Sequence, residues 1–235
     1  MAANWMRRTL MVAACASAAL LAACGSSTTE SAITPQRFIA FGDAMNDVGQ
    51  NGSRYTVNDG SVNNWTLQVV ANYGKSLTPV SAGGLSYATG NARVSAKPDA
   101  AGNASTRTVT EQIDAFLASG SFAATDVVMV SGGVSDVIAG MAALNAGTLT
   151  QDAIVAAARK AGADLAAQVR RLVTAGAKHV VVTGTYDLSK TPWAKTIGRE
   201  ALLSNASSRF NEGLLVGIVD LGANVLYVDS AYYVN

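Results

Sequence analysis

Short apolar runs alternate along the chain with longer stretches in which apolar positions recur every three or four residues. The runs from Phe38 to Phe41, Asp126 to Val130, His179 to Val182 and Val225 to Val228 are rich in β-branched and aromatic side chains, as buried strands tend to be. Asn64 is placed to cap a helix carrying Trp65, Val69 and Tyr73 that stops at Gly74. Thr108-Val-Thr-Glu111 has the capping-box form ahead of Ile113, Phe116 and Leu117, with Gly120 following. A helix from about Thr150 to Gly176 presents Ile154, Ala157, Ala161, Leu165, Val169 and Leu172 at helical spacing. Another, from about Ile197 to Leu221, aligns Leu203, Ala206, Phe210, Leu214 and Ile218. Both stripes read as core faces. The alternation of strands and helices predicts the α/β class, a mainly parallel sheet in a three-layer α/β/α sandwich. Residues 81–107, rich in glycine, serine and alanine, lack periodicity and form a loop of the length that often carries function.

The N-terminus changes where such a domain would work. Arg7 and Arg8 precede an apolar run from Leu10 to Ala23, too short to span a bilayer comfortably, which favours a secretion signal over a transmembrane helix. Leu21-Ala-Ala-Cys24 resembles a bacterial lipobox. That resemblance implies cleavage before Cys24, lipidation of its thiol, and a membrane as partner. The start Cys24-Gly-Ser-Ser, with no aspartate after the cysteine, implies the outer membrane in bacteria that have two. Residues 1–23 are therefore read as a lipoprotein signal peptide, 24–36 as a flexible Ser/Thr-rich tether, and 37–235 as one domain. Losing Arg7 and Arg8 turns 17 basic residues against 16 acidic ones into a net charge of −1, so no nucleic-acid surface is expected. Cys15 leaves with the leader and Cys24 carries lipid, so no thiol pair remains for a disulfide.

Candidate chemistry concentrates where the first strand runs into Gly42-Asp43-Ala44. An α/β hydrolytic enzyme would present a serine at such a turn, and the methyl group of Ala44 cannot attack a carbonyl. No Gly-x-Ser-x-Gly elbow occurs elsewhere. The segment Phe41-Gly-Asp-Ala-Met-Asn-Asp-Val-Gly49 resembles the first block of the SGNH, or GDSL, esterases and lipases, with Ala44 at the serine position after Asp43. Ser86-Tyr-Ala-Thr-Gly-Asn-Ala-Arg-Val94 resembles the second block, with Gly90 as the match to the oxyanion glycine. Val130-Ser-Gly-Gly-Val-Ser-Asp-Val137 resembles the third, with Ser135 in place of asparagine and Asp136 retained. Glu111 to Phe116 and Gly176 to Val182 add supporting matches, so the resemblance spans roughly Arg37 to Asp229 and implies a flavodoxin-like SGNH hydrolase fold.

The family's fourth block, Asp-x-x-His after the last strand, has no match before Asn235, although Asp229 sits at that strand's exit. The single histidine, His179, opens a strand, whereas ligands of open parallel sheets bind beyond the strands' carboxyl ends. Asp43, Asp47 and Asp136 have no second ligand type beside them, so capping and loop hydrogen bonds are expected of them; neither a metal nor a cofactor is implied. The leading reading is a GDSL-esterase-like envelope lipoprotein that is catalytically inactive and at most binds an ester, lipid or glycan. One alternative is a working carboxylic-ester hydrolase whose Asp-x-x-His lies beyond this chain end. Another is a structural envelope lipoprotein without a ligand.

Overall fold

In the computed structural model, which describes residues 33–55 and 61–234, the four apolar runs form strands β1 (Phe38–Phe41), β2 (Val127–Ser131), β3 (His179–Thr183) and β4 (Val225–Val228). The signal-like leader, Cys24 and the tether up to residue 32 lie outside the described residues. All four strands are parallel, in the order β1-β2-β3-β4. Register sets Phe38, Val127 and His179 level at one edge, and Phe41, Val130, Val182 and Tyr227 level near the other. Outside β1 a further short segment pairs in parallel: Ala40 N donates to Leu85 O at 3.1 Å and Tyr87 N donates to Ala40 O at 2.7 Å. The chain therefore leaves β1 in one direction and returns to β2 in the other, which is the flavodoxin-like doubly wound arrangement. β2 begins one residue later than expected because the Asp126 side chain holds the preceding turn, accepting from Arg37 Nε at 3.0 Å and Ala123 N at 2.7 Å.

The helices are α1 (Trp65–Asn72), α2 (Val109–Leu117), α3 (Val134–Asn145), α4 (Gln151–Thr174), α5 (Pro192–Ile197), α6 (Glu200–Ile218) and the short α7 (Ser230–Tyr233). Both anticipated caps form. Asn64 Oδ1 accepts from Leu67 N at 3.0 Å, and Thr108 exchanges side-chain and backbone bonds with Glu111. The inward face of α1 differs from the expected one: Thr66 and Val70 are buried, while Tyr73 lies at the exposed C-cap. Thr66 Oγ1 donates to Asn46 Oδ1 at 3.2 Å, so a polar contact turns that face inward. In α4, Ala158 takes the buried place expected of Ala157, which is exposed; the other five positions of the stripe are buried. The helix expected over 197–221 runs from Glu200 to Ile218 and is preceded by the separate short α5. Gly198 closes α5 in a left-handed conformation, and α6 carries all five predicted apolar residues inward.

Successive crossovers into β2, β3 and β4 step in one direction, so their right-handedness places α2, α4 and α6 on one face of the sheet and α1 on the other. The main core lies on the first face, where Ile39, Phe41, Val128, Val130, Val180 and Val182 meet Ile113, Phe116, Leu165, Phe210 and Leu214. On the second face Phe38 stacks obliquely on Tyr73, ring centroids 5.7 Å apart. Among the described residues no helix is long and apolar enough to cross a membrane.

Candidate functional site

The turn after β1 is held by its neighbours on both sides. Gly42 has φ +140°, and an added Cβ would overlap the Ser131 hydroxyl at the end of β2, so a side chain fits neither the backbone nor the space. The buried Gln112 amide treats Gly42 as a strand partner, accepting from its N–H at 2.8 Å and donating to its carbonyl at 2.9 Å. Asp43 follows, fully buried; its Oδ1 accepts from Ser131 Oγ at 2.8 Å and from Met45 N at 3.2 Å. Asp43 Oδ2 has no partner among the described residues. Asn46 N and Asp47 N both donate to Asp43 O at 3.1 Å, winding one turn that carries half-buried Ala44 at the carboxyl edge of the sheet. This is the switch point of the doubly wound order, where such folds bind ligands.

A second tie joins this turn to the loop outside β1. The Asp47 carboxylate accepts from Gly49 N and Gln50 N at 2.8 Å and from Gly90 N at 2.7 Å. The Gly90 N–H is thereby committed to Asp47. The Tyr55 ring lies directly on Gly90, in the space a Cβ would need, and its hydroxyl accepts from Asn91 Nδ2 at 3.3 Å. Asn91 itself adopts φ +64°, a conformation asparagine tolerates better than most residues. A third tie comes from the first turn of α3. Asp136 accepts from Val94 N at 3.0 Å and Arg93 Nε at 3.3 Å, fastening the far end of the same loop. Ser135, one residue earlier, is 3% exposed.

Hydrogen bonds thus link the Ala44 turn, the Gly90 loop and the Ser135-Asp136 turn at one edge. Asp229 stands at the end of β4, where its side chain caps α7 by accepting from Tyr232 N at 3.1 Å. His179 is level with Phe38, so it lies about 13 Å down the strand direction from Gly42 at ~3.3 Å per residue. Asp43 and Asp136 accept from side chains or backbone N–H groups of the loops they hold, and Asp47 from backbone N–H groups alone. No group of three or more histidine, cysteine, aspartate or glutamate side chains fit to hold a metal occurs among the described residues.

Burial governs the electrostatics. It raises the Asp43 carboxyl above the usual carboxylate range against the opposing bonds from Ser131 and Met45. It pushes Asp136 up to about 6, although Val94 N–H and Arg93 favour its charged form, and the nearby Asp43 adds to the rise. Burial and Asp43 together raise the Tyr186 phenol. A carboxyl with a raised folded pKa takes up its proton more readily folded than unfolded, so its contribution to stability grows as pH falls from 7 through 6 and is complete below about 4. For Asp136 the full span is worth up to about 3 kcal/mol. Glu111, held low by Lys97, and Asp126, where burial is outweighed by the Arg37 guanidinium and the Ala123 N–H together, act oppositely and lose their contribution only as pH falls below their ordinary range. The melting temperature is therefore expected to rise from pH 7 to pH 5 and fall below pH 4, with Asp136→Asn reducing the rise. A wild-type melting temperature that declines between pH 7 and pH 5 in scanning calorimetry would refute this.

Several of these residues have roles that no motif announces. Gln112 and Ser131, inside the Glu111 to Phe116 match and the third block, shape the turn; what hints at the role of Gln112 is its polar side chain on the apolar face of α2, beside Val109, Ile113 and Phe116. Tyr55 and Asn91 meet only through the folded loops, and although Asn91 lies in the second block nothing in the sequence signals that contact.

A four-stranded parallel sheet between helices, with its turn-borne site at the switch point, defines an α/β/α protein of the SGNH hydrolase fold. The family model for the GDSL-like Lipase/Acylhydrolase matches residues 38–233, and the chain belongs to that family. Among curated proteins none matches the chain.

Proposed function

We propose that this GDSL-family chain is an esterase-like envelope lipoprotein that does not hydrolyse esters and at most binds an ester, lipid or glycan at the retained strand edge. One observation carries the reading: Ala44 occupies the turn where the nucleophilic hydroxyl belongs. The surroundings support it. Asp43 and Asp136 hold loops in place, Ser135 has a shorter reach than the asparagine it replaces, and His179 is at the opposite edge. Gly90, the other oxyanion candidate, gives its N–H to Asp47. The resemblance of Leu21-Ala-Ala-Cys24 to a lipobox supports the anchor, and the start Cys24-Gly-Ser-Ser, with no aspartate after the cysteine, supports the outer membrane.

Expressed in a bacterium with its leader intact, the chain is expected in the detergent phase of a Triton X-114 partition and unlabelled by a fluorophosphonate probe, which reacts with activated serines. Cys24→Ser should move it to the aqueous phase. Fluorophosphonate labelling of the wild-type chain would overturn the inactive reading, and an unchanged partition of the Cys24→Ser variant would overturn the anchor.

A further inference from the structure

The two edges of the sheet are finished differently. Outside β1, the Ser86 segment is bonded on its far side as well, with Ser86 N donating to Thr78 O at 3.0 Å and Val80 N to Ser86 O at 2.9 Å, so that edge closes on a loop containing Pro79. Among the described residues β4 pairs only with β3. Val180 N donates to Asn224 O at 2.8 Å, which fixes the alternation: Asn224, Leu226 and Val228 turn their backbone groups toward β3, Val225 and Tyr227 away from it. Val225 N is taken by Leu221 O at 2.9 Å. The Val225 carbonyl and both backbone groups of Tyr227 have no partner among the described residues. The strand Val-Leu-Tyr-Val is short but carries no charged side chain and no proline, two of the usual edge protections.

The surroundings of that edge are apolar. Leu226, on one face of the sheet, is 61% exposed, and on the other face Val216 of α6 and its C-cap Val219 are 64% and 80% exposed. Leu215, Val216, Tyr227 and Ala231 share the wall of a concavity of about 510 Å³, which makes the helix surface and the strand edge continuous. Half-exposed Leu215 and exposed Tyr233 add to the apolar surface near this end of the chain, and a specific interface buries about 1,000 Å² or more in total.

We propose that β4 is the seam of a homodimer, pairing antiparallel with β4 of a second copy across a two-fold axis at Tyr227 to form one eight-stranded sheet. The pattern of free groups is self-complementary. Tyr227 exchanges N–H to carbonyl bonds with Tyr227 of the second copy, and each Val225 carbonyl accepts from the Asp229 N–H opposite. Leu226 then faces Val228 of the second copy on one surface, and the exposed α6 stripe meets its own copy on the other. An uncharged strand meets itself without like-charge repulsion, which favours a second copy over a charged partner.

Sedimentation of the purified full chain, from micromolar to high-micromolar concentration, tests the pairing. The wild-type chain is expected to approach twice the mass of one chain. Leu226→Lys and Val219→Lys, at exposed positions where circular dichroism should show an unchanged fold, should each weaken the dimer about tenfold or more, about 1.4 kcal/mol. A wild-type chain that stays monomeric throughout overturns the proposal. So does a dimer that neither lysine variant weakens, which would place self-association elsewhere, such as in the apolar leader. Monomeric protein that floats with phospholipid vesicles and loses that binding in Leu226→Lys would assign the surface to lipid instead, and equally overturns it.

Discussion

Replacing Ala44 with serine is expected to leave the hydrolysis of p-nitrophenyl acetate at the buffer rate. The position is half-buried and open enough for a hydroxyl, so the variant should fold with stability within about 0.5 kcal/mol of wild type. A hydroxyl alone is a weak nucleophile, because it needs a base within hydrogen-bond reach to take its proton. Of the acidic groups tied to this turn and its loops, Asp47 is engaged by three backbone N–H groups and Asp136 by Arg93 and Val94, while Asp43 is held through Oδ1 by Ser131 and Met45, its buried Oδ2 lying without a partner among the described residues and its carboxyl raised above the usual range. His179 opens β3 at the far edge of the sheet. Removing the base from a serine triad costs about 10⁶ in turnover, as much as removing the nucleophile, because the two act as a unit. Saturable hydrolysis by Ala44→Ser, measured against a buffer blank, would mean that another group reaches residue 44.

The largest loss of stability is expected from Phe210→Ala. Phe210 is fully buried in α6, and its ring lies against Gly133, which caps α3 with φ +109°. A Cβ on Gly133 would come within 2.5 Å of the ring, so glycine and phenylalanine fit as a pair. Truncating the ring removes its transfer free energy and leaves a cavity between α3, α4 and the sheet, a loss of about 4 kcal/mol. Total stabilities are about 5–15 kcal/mol, so this is a large fraction, and the melting temperature should fall by roughly 10 °C. The effect should reach the site as well, because the α3 turn resting on Phe210 carries Ser135 and Asp136. A fall of less than about 3 °C would show that neighbouring side chains refill the space.

These residues also show how far the sequence reaches. Short β-branched runs and capped apolar stripes gave the strands and main helices to within a few residues, because burial on both faces and helical spacing leave one-dimensional patterns. The departures came from single contacts that such patterns do not encode. Thr66 turned α1 through its bond to Asn46, and Gly198 in its left-handed conformation separates α6 from a short helix that the apolar pattern had not announced. At the site, the turn and its missing hydroxyl were visible in Gly42-Asp43-Ala44 alone. The commitment of the Gly90 N–H to Asp47 was not, since 43 residues separate the partners and any acidic residue in the turn could have filled the role. The same holds for the Tyr55 ring over Gly90, a contact between two loops with no shared motif.

Steady-state turnover of short-chain p-nitrophenyl esters by the purified wild-type chain, alongside Ser135→Ala and Asp136→Ala, tests the central claim most directly. All three are expected to match the buffer rate at every substrate concentration. Wild-type turnover above buffer that either substitution abolishes would contradict the claim and place working ester-hydrolysing chemistry at this strand edge despite Ala44.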